Sequence, residues 1–342
     1  MDHIIIYAGS NPQYAGFYIS YLESCIPKSH ISFSRNAFTW NHARVRGTTL
    51  ALLIFADDSA LPPFRLAVDT GDGYDMDEEA YQWCDKYAKI NYNQSKTSQY
   101  FQSKTIPICP SFSIKSWGLL DTVYHAIYNA ILMRPTNIRK FLGKYKHCYQ
   151  RIPLKEYYRP VEVDEQYVFF CSTFWYNEPG TGTRNDDTTN RYRVNFIRAC
   201  RSIESLSFEG GLVPHRGSNV EKYPDVVSAG YSHADYIRNT KRSIVAFNTP
   251  ALWDCHGWKL GEFLAMGKAI ISTPLSNNLP APLEHGAHIH YVDGSEESIR
   301  DAVTYIAENQ RYRKKLEGGQ KHTGNSGVNP LLSFNLYYQL PL

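Results

Sequence analysis

The sequence predicts an α/β protein of two successive domains, and three observations carry that expectation. Short aliphatic runs alternate with helix-periodic runs along the whole chain, the pattern of helices layered on a parallel sheet. The 342 residues give each of two domains enough chain to bury its own core. A basic, tyrosine-rich stretch over 134–164, carrying Pro153 and Pro160, separates two such αβ series and reads as their connection. The division expected is an N-terminal domain over 1–150, a C-terminal domain over 151–320 and a tail over 321–342.

In the first half, residues 4–7 read as a strand closed by Gly9-Ser10-Asn11-Pro12, and 14–24 as a helix. Strands follow over 50–56 and 65–68. The second leads into a glycine turn bearing Asp69, Asp72 and Asp75. A helix is expected over 78–87, a short strand over 105–109 and a long apolar-periodic helix over 119–133. The second half reads as strand 167–171, helix 191–202 and strand 205–209 with a tight turn at Gly210-Gly211. Helix 232–241, strand 243–248, helix 257–266 and strand 268–272 follow, then strand 288–292 and a long helix over 296–315. Residues 183–189 read as a polar loop.

Composition narrows the partners. Apolar residues make up 43% and charged residues 20%, a globular balance. A net charge of +3 without a basic run comparable to a nucleic-acid or heparin patch argues against nucleic acid, while it suits an anionic substrate or a transient visit to a lipid surface. The 26 tyrosines suit clefts that hold sugars or bases, and equally suit strands. Seven scattered cysteines without a CxxC pair argue against a zinc site and a disulfide framework, so a reduced, cytoplasmic setting is expected. The first apolar run is too short for a signal peptide, and no segment reaches the roughly 18 apolar residues of a membrane span.

The informative segment runs from Asn248 to Pro274. A strand ends near Asn248, a loop carries Asp254 and His256, and a helix opens at Gly257. Helix N-termini offer unpaired N–H groups and partial positive charge, and glycine lets an anion approach the backbone, so this is a seat for a diphosphate. Glu262 lies about one and a half turns into the helix, where a carboxylate can accept from two vicinal ribose hydroxyls. Gly267 closes the helix before the next strand.

This segment resembles the nucleotide-binding helix of GT-B glycosyltransferases of the "glycosyl transferases group 1" superfamily. An acid, seven intervening residues and a glutamate stand here as Asp254 and Glu262, followed at the family interval by Gly267 and by Ala269-Ile270-Ile271. The first acid is Asp where the family usually has Glu, and Phe263-Leu264 stand where it has Ala-Met. The resemblance covers about 30 residues well. It implies two Rossmann-like domains facing each other across a cleft, with the nucleotide sugar on the C-terminal domain and the acceptor on the N-terminal one. It further implies that Glu262 binds the donor ribose and that Asp254 faces the transferred sugar. His256, Gly257 and Trp258 would lie beside the diphosphate or sugar, with Lys259 adding charge. The setting implied is bacterial surface polysaccharide or lipopolysaccharide assembly, with retention of configuration and a glycan or lipid-linked glycan as acceptor. No metal or other cofactor is expected.

Other candidates follow from the same layout. Asn190, Arg191 and Arg193 open the helix after the first strand of the second domain and could neutralise a leaving diphosphate, or be ordinary surface residues. Glu209 could hold the base. Asp69, Asp72 and Asp75 lack calcium-loop spacing and the DxD motif of metal-dependent GT-A enzymes. One of them, Asp72 above all, could contact the acceptor, or act as general base if the enzyme inverts; the alternative is an ordinary charged turn. Lys86, Lys89 and Lys115 could attract an anionic acceptor or form a solvated face. His233, Asp235, Arg238, Lys241 and Arg242 read mostly as solvated. Two other functions fit the same architecture: a nucleotide-sugar epimerase and a non-catalytic sugar- or nucleotide-binding module.

Overall fold

The structure is a computed structural model that describes residues 3–56, 61–175, 186–215 and 220–319. The segment 183–185 of the expected polar loop and the tail over 321–342 lie outside the described residues. The chain divides into two compact units. The first runs through Glu156 and takes in Asn278–Pro280; the second comprises Tyr157–Asn277 and the described residues from Ala281 onward. Both are α/β, with parallel strand pairs predominating.

In the first unit β1 (His3–Tyr7) leads through α1 (Pro12–Cys25) to β2 (Ile31–Ser34), which pairs parallel to it. Helix α1 starts at Pro12, two residues before the expected start: Asn11 accepts a hydrogen bond from the Gln13 N–H, and Pro12 sits where no N–H is needed. Then come β3 (Thr49–Phe55), β4 (Phe64–Asp69), α2 (Glu78–Trp83), β5 (Lys86–Lys89), α3 (Gln99–Gln102) and β6 (Thr105–Pro107). The sheet order is β2-β1-β3-β4-β5-β6, and β3 runs antiparallel to both neighbours. Only residues 56–63 join β3 to β4, too few for a parallel crossover of a dozen or more residues, so β3 returns as a hairpin strand in an otherwise parallel sheet.

The expected helix over 78–87 stops at Trp83, and its last residues enter β5 instead, where Tyr87 and Lys89 pair with β4 and β6. The expected connection over 134–164 is largely helical. After α4 (Leu119–Met133) come α5 (Ile138–Tyr149), which buries Phe141, Tyr145 and Cys148 at helical spacing, and α6 (Leu154–Tyr158).

The acidic turn after β4 is organised by Asp69, not by a ligand. Lys89 Nζ donates to Asp69 Oδ2 at 2.8 Å, the Tyr87 hydroxyl donates to the same oxygen at 2.7 Å, and the Gly71 N–H reaches Oδ1 at 2.8 Å. Asp69 and Lys89 are both fully buried. This withdraws Lys89 from the candidates for attracting an acceptor. Asp75 is exposed and pairs with Arg46 at 2.6 Å.

The second unit runs β7 (Tyr167–Phe174), α7 (Asp186–Arg201), β8 (Ser207–Pro214), α8 (His233–Arg242), β9 (Ala246–Asn248), α9 (Trp258–Met266), β10 (Ile270–Ser272), β11 (His290–Tyr291), α10 (Glu296–Glu308) and α11 (Gln310–Gly319). Strands β7 and β8 pair parallel, as do β9, β10 and β11. The Ile244 N–H donates to the Tyr167 carbonyl at 2.9 Å, linking the two groups. Phe196 of α7 stacks on Phe247 of β9 with centroids 4.4 Å apart.

Gly210 and Gly211 form no turn: both lie inside β8, at φ 113° and 153°. A Cβ on Gly210 would sit 2.1 Å from the Phe170 carbonyl oxygen, so close strand approach requires the glycine. The long helix expected over 296–315 is two helices. Asn309 ends α10, and its Oδ1 accepts from the Tyr312 N–H in the first turn of α11.

Lys89→Met leaves the Asp69 carboxylate buried without its cation and should cost about 3–5 kcal/mol of unfolding free energy. Urea unfolding checks this. A loss under about 1 kcal/mol would mean that the pair is hydrated and does not organise the sheet.

Candidate functional site

The segment between β9 and α9 folds into a tight, clamped loop. Trp253 and Asp254 both adopt φ 58°, a left-handed conformation that costs a non-glycine residue about 1–2 kcal/mol. Neighbours hold it in place. The Ala251 N–H donates to the Cys255 carbonyl at 2.9 Å, Asn277 Nδ2 to the Asp254 carbonyl at 3.0 Å, and Thr189 Oγ1 to the Pro250 carbonyl at 3.1 Å. His256 is buried, with Nε2 3.1 Å from the Asn277 carbonyl, so that nitrogen carries the proton and donates. His256 therefore serves as a second tie between this loop and residue 277, which tells against the catalytic role expected for it. Two strained residues fixed in sequence present the half-buried Asp254 at a set position.

Helix α9 opens at Gly257, whose φ of −70° any residue could adopt. What glycine contributes is the absence of a capping side chain; within the first turn the Leu260 N–H donates to the Gly257 carbonyl at 3.1 Å. From that turn Lys259 reaches inward. Its Nζ donates to the Cys171 carbonyl of β7 at 2.6 Å and to the Tyr236 hydroxyl of α8 at 3.0 Å, and lies 4.4 Å from the centre of the Tyr236 ring. Part of the side chain stays at the surface, but the ammonium is enclosed. Burial lowers its pKa to about 8, with Glu262 opposing the shift and Arg193 adding to it.

Glu262, one turn further along α9, is buried rather than on a solvated face. Its Oε2 accepts from the Tyr236 hydroxyl at 3.1 Å, and Oε1 lies 3.8 Å from His233 Nε2. Burial and the adjacent Glu262 carboxylate push the Tyr236 phenol well above its ordinary range, so it stays a donor. The Tyr157 hydroxyl stands 3.2 Å from His233 Nε2. Arg193 of α7 is buried, donates to the Thr173 carbonyl at 2.9 Å, and has its pKa lowered to about 10 by burial.

The other expected residues divide. Asn190 is buried and spans the Trp175 backbone, accepting from its N–H at 3.2 Å and donating to its carbonyl at 3.0 Å; it shapes the end of β7. Arg191 is on the exposed side of α7, over the Tyr192 ring, apart from Asn190 and Arg193 on the buried side. Trp258 is half-buried at the first position of α9. Glu209 is occupied: Tyr167 donates to Oε2 at 2.6 Å and Asn239 to Oε1 at 3.0 Å. That carboxylate ties β7 and β8 to α8 and is not disposed to hold a base. Asp72 is exposed in the first unit, near Tyr14.

The sequence reading missed Tyr236 and Tyr157 and treated His233 as solvated. The signal for α8 was the spacing of His233 and Tyr236, which puts both on one helix face. Lys241 is likewise buried, donating to the Arg159 carbonyl at 2.7 Å. Among the described residues, Trp175 Nε1 just after β7, Thr273 Oγ1 just after β10 and His233 Nδ1 on α8 are buried without a hydrogen-bond partner. Such atoms call for a ligand or water. Among the described residues no group of three or more His, Cys, Asp or Glu could hold a metal ion.

No protein-family model and no curated protein matches the sequence. Among solved structures, the C-terminal domain of a glycosyl transferase group 1 family protein from Francisella tularensis matches 48% of this chain and 92% of its own, at 12% identity and TM-score 0.32. A glycosyltransferase from Rickettsia africae matches 74% of this chain at 13% identity and TM-score 0.37. A UDP-GlcNAc 2-epimerase from Neisseria meningitidis, bound to UDP-GlcNAc, matches 71% at 12% identity and TM-score 0.36. The chain spans 62% and 61% of the length of these last two. Likeness at this level gives neither an activity nor a ligand to this chain.

The lysine shift has a stability consequence of definite sign. Folded Lys259 holds its proton less tightly than the ordinary lysine value of 10.5, as does buried Lys268, also at about 8. Between about pH 8 and 10 the unfolded chain therefore carries more protons, and stability rises with pH. Lys259→Met should reduce that rise without removing the Lys268 share. Denaturant titrations at several pH values measure it; an unchanged slope would show that the Lys259 ammonium is solvated.

Proposed function

We propose that the chain is a glycosyltransferase of GT-B architecture that holds a nucleotide sugar on its second unit and transfers the sugar to a glycan or lipid-linked glycan. One observation carries this reading: two enclosed cations, Lys259 and Arg193, lie within electrostatic range of each other, and Lys259, which also faces the Glu262 carboxylate, stands in the first turn of a helix whose N-cap is a glycine. Such an excess of positive charge suits a diphosphate. In this reading the α9 N–H groups and Lys259 bind the diphosphate, and Glu262 turns its carboxylate to the ribose hydroxyls. Asp254, set by its strained loop, contacts the transferred sugar.

As the glycosidic bond to the diphosphate breaks and a bond to the acceptor hydroxyl forms, the hydroxyl proton passes to the departing phosphate. Retention of configuration needs no separate protein base. The protein cations neutralise the leaving group, so turnover should survive EDTA. The first unit would take the acceptor, and bacterial surface polysaccharide synthesis is the setting this chemistry suits.

Three measurements test the reading. Glu262→Gln keeps the shape but loses charge-assisted hydrogen bonds of about 1.5–3 kcal/mol, so nucleoside diphosphate affinity should fall roughly ten- to hundred-fold by calorimetry across UDP, GDP, ADP and CDP. Unchanged affinity would remove Glu262 from the site. Asp254→Asn should lower kcat and kcat/KM together while the diphosphate still binds; normal turnover would reduce Asp254 to a loop residue. Incubating nucleotide sugars without acceptor separates the alternatives. An epimer as product would establish the epimerase, and tight binding with no product under any acceptor the non-catalytic module.

A further inference from the structure

Helix α4 is amphipathic in the inverted sense. The face it buries carries Thr122, Ala126 and Asn129, with Asn129 Nδ2 donating to the Tyr145 hydroxyl of α5 at 2.9 Å. The face it exposes carries Leu120 at 84% exposure, Tyr124 at 61%, Ile127 at 54% and Ile131 at 67%. These follow at intervals of four, three and four, one continuous helical stripe. Ile138 and Leu142, exposed on α5, extend the apolar surface onto the next helix. Tyr124 and Tyr128 stack on each other at the surface, with centroids 5.7 Å apart. A soluble surface does not leave such a stripe open without a partner for it.

The surrounding charge says what the partner is. From residue 122 to residue 155 the chain has seven Lys or Arg and no Asp or Glu, in a protein whose net charge is only +3. Arg134, Arg139, Lys140 and Lys146 are exposed and make no ion pair among the described residues. A second copy of this face would bring the same cations against each other. An anionic bilayer accepts both features: aliphatic side chains enter the acyl boundary, tyrosines stay at headgroup level, and lysine and arginine meet lipid phosphates. At 15 residues α4 is about 22 Å long and would lie flat, since no described helix is long and apolar enough to cross a membrane.

We propose that the exposed face of α4, with the basic residues of α5, docks the protein peripherally on an anionic lipid surface. This inference does not depend on what the second unit binds, so it and the functional reading fail separately. The test is flotation of the full chain with vesicles of phosphatidylcholine alone or with 30% phosphatidylglycerol added. The wild type should float with the anionic vesicles and scarcely with the neutral ones. Leu120→Glu with Ile127→Glu changes only exposed side chains. It should keep the unfolding midpoint and lose flotation about ten-fold or more. Arg139→Gln with Lys140→Gln should weaken partitioning about five-fold per cation, most at low salt. A wild type that stays at the bottom of the gradient would overturn the proposal, and so would variants that float as well as it does. Light scattering that shows a dimer split by Leu120→Glu would instead give the face to a second copy.

Discussion

In the second unit the packing of β7, α8 and α9 depends on satisfying the Lys259 ammonium. Lys259 starts in the first turn of α9, and its partners come from elsewhere: a carbonyl of β7, a hydroxyl of α8 and the charge of Glu262 a turn along its own helix. A buried cation is tolerated only when such partners are in place, so the contacts fix the register of α8 and α9 against β7 together. With Arg193 nearby the cluster remains short of negative charge. Burial lowers the pKa of both basic groups, to about 8 and about 10. The candidate site is thus a place where the fold stops short of neutralising itself.

The first unit offers the contrast. Its Asp69 and Lys89 are fully buried, and the carboxylate accepts from the ammonium, the Tyr87 phenol and the Gly71 N–H. Charges balance, donors and acceptors are matched, and the acidic turn looks like a ligand site in sequence because the matching residues lie 18 and 20 positions away. What separates a structural charge cluster from a binding one is the remaining charge and unmet hydrogen-bonding capacity, and residue spacing does not report either.

Much of the fold was legible where local signals decide structure. The α4 bounds follow from its apolar period, and the opening and closing of α9 from Gly257 and Gly267. The misreadings fall where distant pairing overrides local pattern. Residues 86–89 join β5 because β4 and β6 flank them, and Gly210-Gly211 stay in β8 because they pair with Phe170 and Cys171 of β7. At the candidate site, α9 and its acids were readable from spacing. The partners from α8 were not, since Tyr236 and His233 gain meaning only when α8 packs beside α9. The left-handed backbone at Trp253 has no sequence signal either; Asp254 is of a type that enters this region more readily, but nothing in its spacing marks it.

The central claim is that the start of α9 receives a diphosphate. The most direct measurement is amide hydrogen exchange along the chain with and without the nucleoside diphosphate that raises the unfolding midpoint. The account predicts slowed exchange at residues 258–260 and in the loop 251–256, at ligand concentrations that match the calorimetric affinity. Protection confined to the first unit, or none at the α9 N-terminus while the ligand is bound, would contradict it.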